Sequence, residues 1–222
     1  LDSEALVEAR QQDRSLGPSR RALFLQGDAQ DIRKYVTTGS VDTIIFSSVL
    51  HEVFSYNGFD RDKVISAIVN AFLVLPIGGR IIIRDGIMMD KQQTRIKFHN
   101  PEDLRLLHQF AKDFKGRKID YKIVQRPGVR ADTAVMDIND SMEFLYTYTW
   151  GPESYEREVQ EQYGYYTPKE YIDMFRDILG EQCRLVTHNH YLQESYNYYL
   201  SKRVEFRDSH NKPLRLPDTN AL

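Results

Sequence analysis

Between Val41 and Asp85 the apolar positions run in the order strand, turn, helix, turn, strand. Val41-Asp42-Thr43-Ile44-Ile45-Phe46 is a near-continuous apolar run, the pattern of a parallel strand buried on both faces, and it stops at Ser47-Ser48. A polar turn through Asn57 and Gly58 leads into a helix expected from about Asp60 to Leu75, with Val64, Ile65, Ile68, Val69, Phe72 and Leu73 as its stripe. Pro76-Ile77-Gly78-Gly79 ends the helix. Arg80-Ile81-Ile82-Ile83-Arg84-Asp85 then reads as a second buried strand, and a crossover of this length sets it parallel to the first.

Upstream, Leu1 to Arg10 carries a helix-start signal and Gln11 to Arg20 a loop with Gly17-Pro18. Arg21 to Gln26 reads as a strand, and Gly27-Asp28-Ala29 opens a short helix running to Tyr35 that Asp28 can cap, with Asp31 completing an approximate capping box. Residues 88–166 break the simple alternation and are too long for a plain loop. Within them Pro101 to Phe114 and Ser141 to Tyr148 read as helices, and Tyr121 to Gln125 and Ala134 to Ile138 as strands. Thr167-Pro168 is a cap followed by proline at the first helical position. Arg184 to Tyr191 and Tyr198 to Phe206 read as two strands joined by a short polar turn, and residues 208–222 as a loosely held tail.

The expected organisation is a core of residues 1–87 and 167–207 with a substrate lid, 88–166, inserted over the sheet's carboxyl edge. Its 222 residues, 41% of them apolar, suffice for one substantial core. A formal charge of -2 provides no field to recruit nucleic acid or an anionic membrane. Cys183 is the only cysteine, which excludes an internal disulfide and fits a reducing, cytoplasmic setting. No apolar run is long enough to span a bilayer. The chain opens at Leu1 without a methionine and is expected to be a fragment.

Asp42-Thr43-Ile44-Ile45-Phe46-Ser47-Ser48-Val49-Leu50-His51-Glu52 and Leu73-Val74-Leu75-Pro76-Ile77-Gly78-Gly79-Arg80-Ile81-Ile82-Ile83 resemble the fourth and fifth strands of class I S-adenosylmethionine-dependent methyltransferases, with the Leu-His turn and Leu-x-Pro-x-Gly-Gly connection of that family. The resemblance implies a three-layer, Rossmann-like α/β fold, its sheet mostly parallel and closed by an antiparallel final strand. It implies S-adenosylmethionine as cofactor, with Gly27, Asp28 and Ala29 at the adenine, Ser47 and Ser48 at the strand exit, and the ribose held by an acid expected just before Leu1, or in another register by Asp2 itself. None of the 12 glycines forms a Gly-x-Gly, so an upstream segment or a partner chain is expected to complete the cofactor site.

His51-Glu52 is similar to the Leu-His-Asp segment of plant-type small-molecule O-methyltransferases, which implies His51 as general base with Glu52 beside it. Histidine suits that task because its ordinary pKa lies near neutral; packing of the pocket is the alternative role. Arg84 and Asp85 at the next strand's exit are candidates to hold a polar substrate, or to pair with each other. Trp150, Tyr155 and Arg157 sit in an aromatic and charged run that reads as a substrate wall, or as lid core. His188 and His190 alternate on an expected strand, but with no third ligand in reach no metal site is expected.

The expected function is methyl transfer to an oxygen or nitrogen of a small molecule. An RNA or protein methyltransferase, and a non-catalytic binding module of the same fold, stand as alternatives, and oligomeric state is left open.

Overall fold

A computed structural model describes residues 23–218 and 220–221. Its centre is the expected unit: β1 (Thr43–Ser47), α1 (Leu50–Tyr56), α2 (Arg61–Val74) and β2 (Arg80–Gly86), with β1 and β2 parallel and Ile44 opposite Ile81. Asp60 caps α2 by accepting from the Asp62 amide at 2.8 Å. The buried face of α2 is Val64, Ala67, Ile68, Ala71 and Val74, so the packing stripe is turned from the expected one and Leu73 points outward. Ala67 and Ala71 are fully buried. A turn closed by the Gly79 amide on the Pro76 carbonyl, at 2.9 Å, returns the chain to β2.

The expectation of strands buried on both faces fails for β1. Its burial alternates, with Ile44 and Phe46 in the core and Ile45 62% exposed, and Ile82 beside it is also exposed. Sheet one has the order β1-β2-β8-β6, in which β6 (His190–Tyr191) and β8 (Asn220–Ala221) are short and antiparallel. Residues 23–26 carry no strand, and the rest of the Arg21 to Gln26 reading lies outside the described residues, as does the helix start at Leu1 to Arg10.

A second, wholly antiparallel sheet has the order β4-β5-β3-β7: β3 (Gln93–Phe98), β4 (Tyr121–Ile123), β5 (Thr133–Asp137) and β7 (Val204–Asp208). It packs with α3 (Asp103–Asp113) and α4 (Ile138–Trp150) around Ile96, Phe98, Leu107, Phe110, Leu145 and Phe206. A single turn, α5 (Tyr155–Glu158), follows α4. Sheet one has its own cluster, built from Phe46, Leu50, Val64 and Ile68 and completed by Tyr165 and by Met174 of α6 (Pro168–Leu179). Thr167 and Glu170 form a full capping box at the start of α6.

The chain is thus mixed α/β, with one parallel pair and one four-stranded antiparallel sheet. The expected final strand pair is corrected in two ways. Glu194–Ser201 is a helix, α7, because Tyr196 and Leu200, four apart, turn one face to the second core while Tyr198 stays exposed. β7 pairs with β3 and does not close sheet one. The tail is not loose either: Leu216 is buried, and Asn220–Ala221 supplies the strand between β2 and β6. Among the described residues no helix is long and apolar enough to cross a membrane.

Candidate functional site

At the carboxyl end of β1 the chain turns sharply. Ser48 takes a left-handed backbone, φ 52°, and its amide donates to the Arg84 carbonyl at 2.7 Å. That turn starts α1 at Leu50 with no side-chain cap from Val49. Asp85 supplies the missing cap from the neighbouring strand. Its Oδ2 accepts from the amides of Leu50 at 2.7 Å and His51 at 3.1 Å, so the carboxylate sits on the positive end of the helix.

The other carboxylate oxygen, Oδ1, lies 2.5 Å from His51 Nδ1 and accepts from the Gly86 amide at 2.9 Å. Asp85 is therefore saturated and 2% exposed, which corrects its expected role at the substrate. It orients the imidazole. With Nδ1 fixed on Asp85, Nε2 points to Glu161 Oε2 at 3.7 Å, an ion-pair distance rather than a hydrogen bond. The Tyr56 hydroxyl donates to Glu161 Oε1 at 2.5 Å and holds that carboxylate in place. Glu52 is exposed, but one of its oxygens completes a group with His51 and Glu161 in which all ligand atoms lie within 4.8 Å.

Glu161 reaches His51 because residues 158–164 are stitched to both sides of the site. The Gln162 amide donates to Ser55 Oγ at 2.8 Å, and the amides of Tyr163 and Gly164 donate to the Glu143 carboxylate of α4 at 3.0 and 2.8 Å. The Tyr163 ring lies 4.7 Å from the imidazole, and its hydroxyl donates to buried Glu158. Gly86 makes this approach possible, since a Cβ there would stand 2.6 Å from the Tyr163 carbonyl oxygen.

The electrostatics follow from this enclosure. Burial alone would disfavour a charged imidazole, but Asp85 and then Glu161 outweigh it and raise the His51 pKa to about 10. Burial likewise pushes the Glu161 carboxyl up, yet the His51 ion pair, the Tyr56 hydrogen bond and the Arg157 charge bring it below its ordinary value. Burial and the nearby Glu161 charge raise Glu52.

The other expected residues divide into groups. Arg84 donates through Nε and Nη2 to Ser47 Oγ at 3.1 and 3.0 Å and through Nη2 to Ser48 Oγ at 2.9 Å, so these three do meet at the strand exit. Arg84 and Asp85 do not pair with each other. Asp28 caps a 3-10 helix, Ala29–Lys34, through the Gln30 amide at 2.8 Å, while Asp31 pairs with Lys34 rather than closing a capping box. Gly27 lies against the Tyr35 ring. Leu1 and Asp2 lie outside the described residues. Arg157 donates to Glu158 Oε1 at 2.7 Å and stands 3.9 Å from Glu161, at the rim of the site. Trp150 is half-exposed at the end of α4 and Tyr155 donates to Asp113, so neither hydrogen-bonds to the His51 group. His188 falls outside β6, and both it and His190 are exposed.

Tyr56, Glu161 and Tyr163 were not singled out from sequence. The only signal for Glu161 and Tyr163 is the acidic and aromatic density of residues 153–166, which does not distinguish a buried acid from a solvated one; Tyr56 has none. Comparison with protein-family models, with curated proteins and with solved structures finds no match to this chain.

Proposed function

We propose that the chain is an S-adenosylmethionine-dependent methyltransferase acting on an oxygen or nitrogen of a small molecule. The observation that carries the reading is His51 at the exit of a parallel strand pair, its Nδ1 fixed by Asp85 so that Nε2 alone is left to face Glu161. The residues present fit the cofactor: Asp28 keeps an exposed carboxylate for the adenine amino group, and Ser47, Ser48 and Arg84 gather polar groups at the strand exit.

S-adenosylmethionine supplies an electrophilic methyl group, so the protein contributes mainly position and a place for the acceptor's proton. That place is His51 Nε2. In the arrangement described the imidazole already holds its proton at neutral pH, because two carboxylates favour it. Nε2 can take the acceptor's proton only once its own has left; an acceptor hydroxyl entering between Nε2 and Glu161 would take over the Glu161 interaction and lower the ring's pKa, while Asp85, the larger influence, stays in place.

Calorimetric titration with S-adenosylhomocysteine tests the reading, followed by an acceptor screen with His51→Ala. Saturable binding and a loss of turnover of roughly 10²–10⁴-fold in the variant support it. Turnover unchanged near neutral pH removes the base role, and absence of binding both by this chain and by a version with its natural upstream segment restored, each folded, favours the non-catalytic module.

A further inference from the structure

We propose that His51, Glu52 and Glu161 form a binding site for one divalent cation of the Zn2+ or Mn2+ type, a ligand set of one imidazole nitrogen and two carboxylates. The inference rests on the geometry of these three groups and not on methyl transfer.

Three features support it. First, the ligand atoms lie within 4.8 Å of one another, and His51 Nε2 and Glu161 Oε2 are 3.7 Å apart. Two atoms bound to one ion at about 2.0–2.2 Å can be no more than about 4.4 Å apart, so closure asks for a movement of roughly half an ångström. Glu52 is exposed and free to make it. Second, the two buried ligands already have the outer partners that metal ligands usually have. Asp85 Oδ1 binds the far nitrogen of the His51 ring, at 2.5 Å, and so presents Nε2 with its lone pair outward when the ring is singly protonated. The Tyr56 hydroxyl holds Glu161 Oε1, leaving Oε2 toward the imidazole. Third, the exposure of Glu52 gives an ion a route from solvent and leaves coordination positions open to water or a ligand, the arrangement of a catalytic rather than a structural metal site.

Imidazole with carboxylates suits Zn2+, Mn2+ and Fe2+ better than Ca2+, which prefers an all-oxygen shell. A cation on Nε2 occupies the lone pair that would accept a proton, so the cation-loaded and proton-accepting states exclude each other.

The test uses chelator-stripped protein carrying His188→Gln and His190→Gln, which removes the exposed pair whose rings lie 5.7 Å apart and which could bind zinc adventitiously. Isothermal titration with Zn2+, and separately Mn2+, is expected to show one site for at least one of the ions. Glu52→Gln and Glu161→Gln should each weaken it at least tenfold, and Asp85→Asn by about 10–100-fold through the orienting contact. Near-ultraviolet circular dichroism establishes that each variant is folded; Glu52→Gln, on the surface, is the variant safest from unfolding. No saturable binding of either ion, or an affinity untouched by Glu52→Gln in folded protein, overturns the proposal.

Discussion

Asp85 gives one carboxylate oxygen to the imidazole of His51 and the other to that residue's own backbone amide, so a single side chain fixes both the position of the histidine and the helix that carries it. Replacing it by asparagine keeps the shape but removes the charge at the helix start and beside the ring. Asp85→Asn should therefore lower stability by about 2–4 kcal/mol, read from urea unfolding at neutral pH. A loss below about 0.5 kcal/mol would mean that the charge at this position is not holding α1.

The raised pKa of His51 makes stability depend on pH with a defined sign. The group binds a proton more tightly folded, at about 10, than its ordinary value of 6.5. Its contribution is complete below about pH 6.5 and is lost as pH rises toward 10, at up to about 1.4 kcal/mol per pH unit. Glu161, whose carboxyl is held low, contributes above its ordinary value of 4.5 and loses that contribution as pH falls through its folded pKa. Urea midpoints across the pH range should peak between about 5 and 6.5, and His51→Gln should flatten the alkaline limb.

Much of the central unit was legible because its signals are local. Asp60 before α2, Pro76 to Gly79 after it, and Thr167-Pro168 before α6 each act within four residues, and each stands where expected. Gln93–Phe98 was missed although Thr94, Ile96 and Phe98 alternate inward, because charged residues between them mask the apolar signal. Tyr198-Tyr199-Leu200 was misread as strand because aromatic residues favour strands, whereas packing of Leu200 on the second core decides the helix. The site divides in the same way. His51 follows directly from the end of β1, but Tyr56 and Glu161 are separated by 105 residues and meet only through tertiary structure.

The capping box at Thr167 offers a separate check on the fold away from the site. Thr167→Ala removes the acceptor for the Glu170 amide and should cost about 1 kcal/mol in thermal or urea unfolding, leaving the His51 pH dependence unchanged.

Ile45 and Ile82 face outward side by side on the parallel pair. Exchanging both for threonine keeps β-branched side chains and should change stability by no more than about 0.5 kcal/mol each. A loss of about 2 kcal/mol or more would show that this face is covered in the folded protein in solution.

The approach of Tyr163 to Gly86 predicts that Gly86→Ala is destabilising by about 1–3 kcal/mol, since a backbone oxygen stands where the new carbon must go. Its wider consequence concerns recognition of other chains built this way. Because the two walls of the site touch main chain to main chain, no change of rotamer can make room for a side chain at this position. Any sequence sharing the arrangement should carry a histidine 34 residues before an Asp-Gly pair and, far downstream, a Glu-x-x-Glu-x-Tyr segment. That fingerprint can identify relatives even where overall similarity has faded.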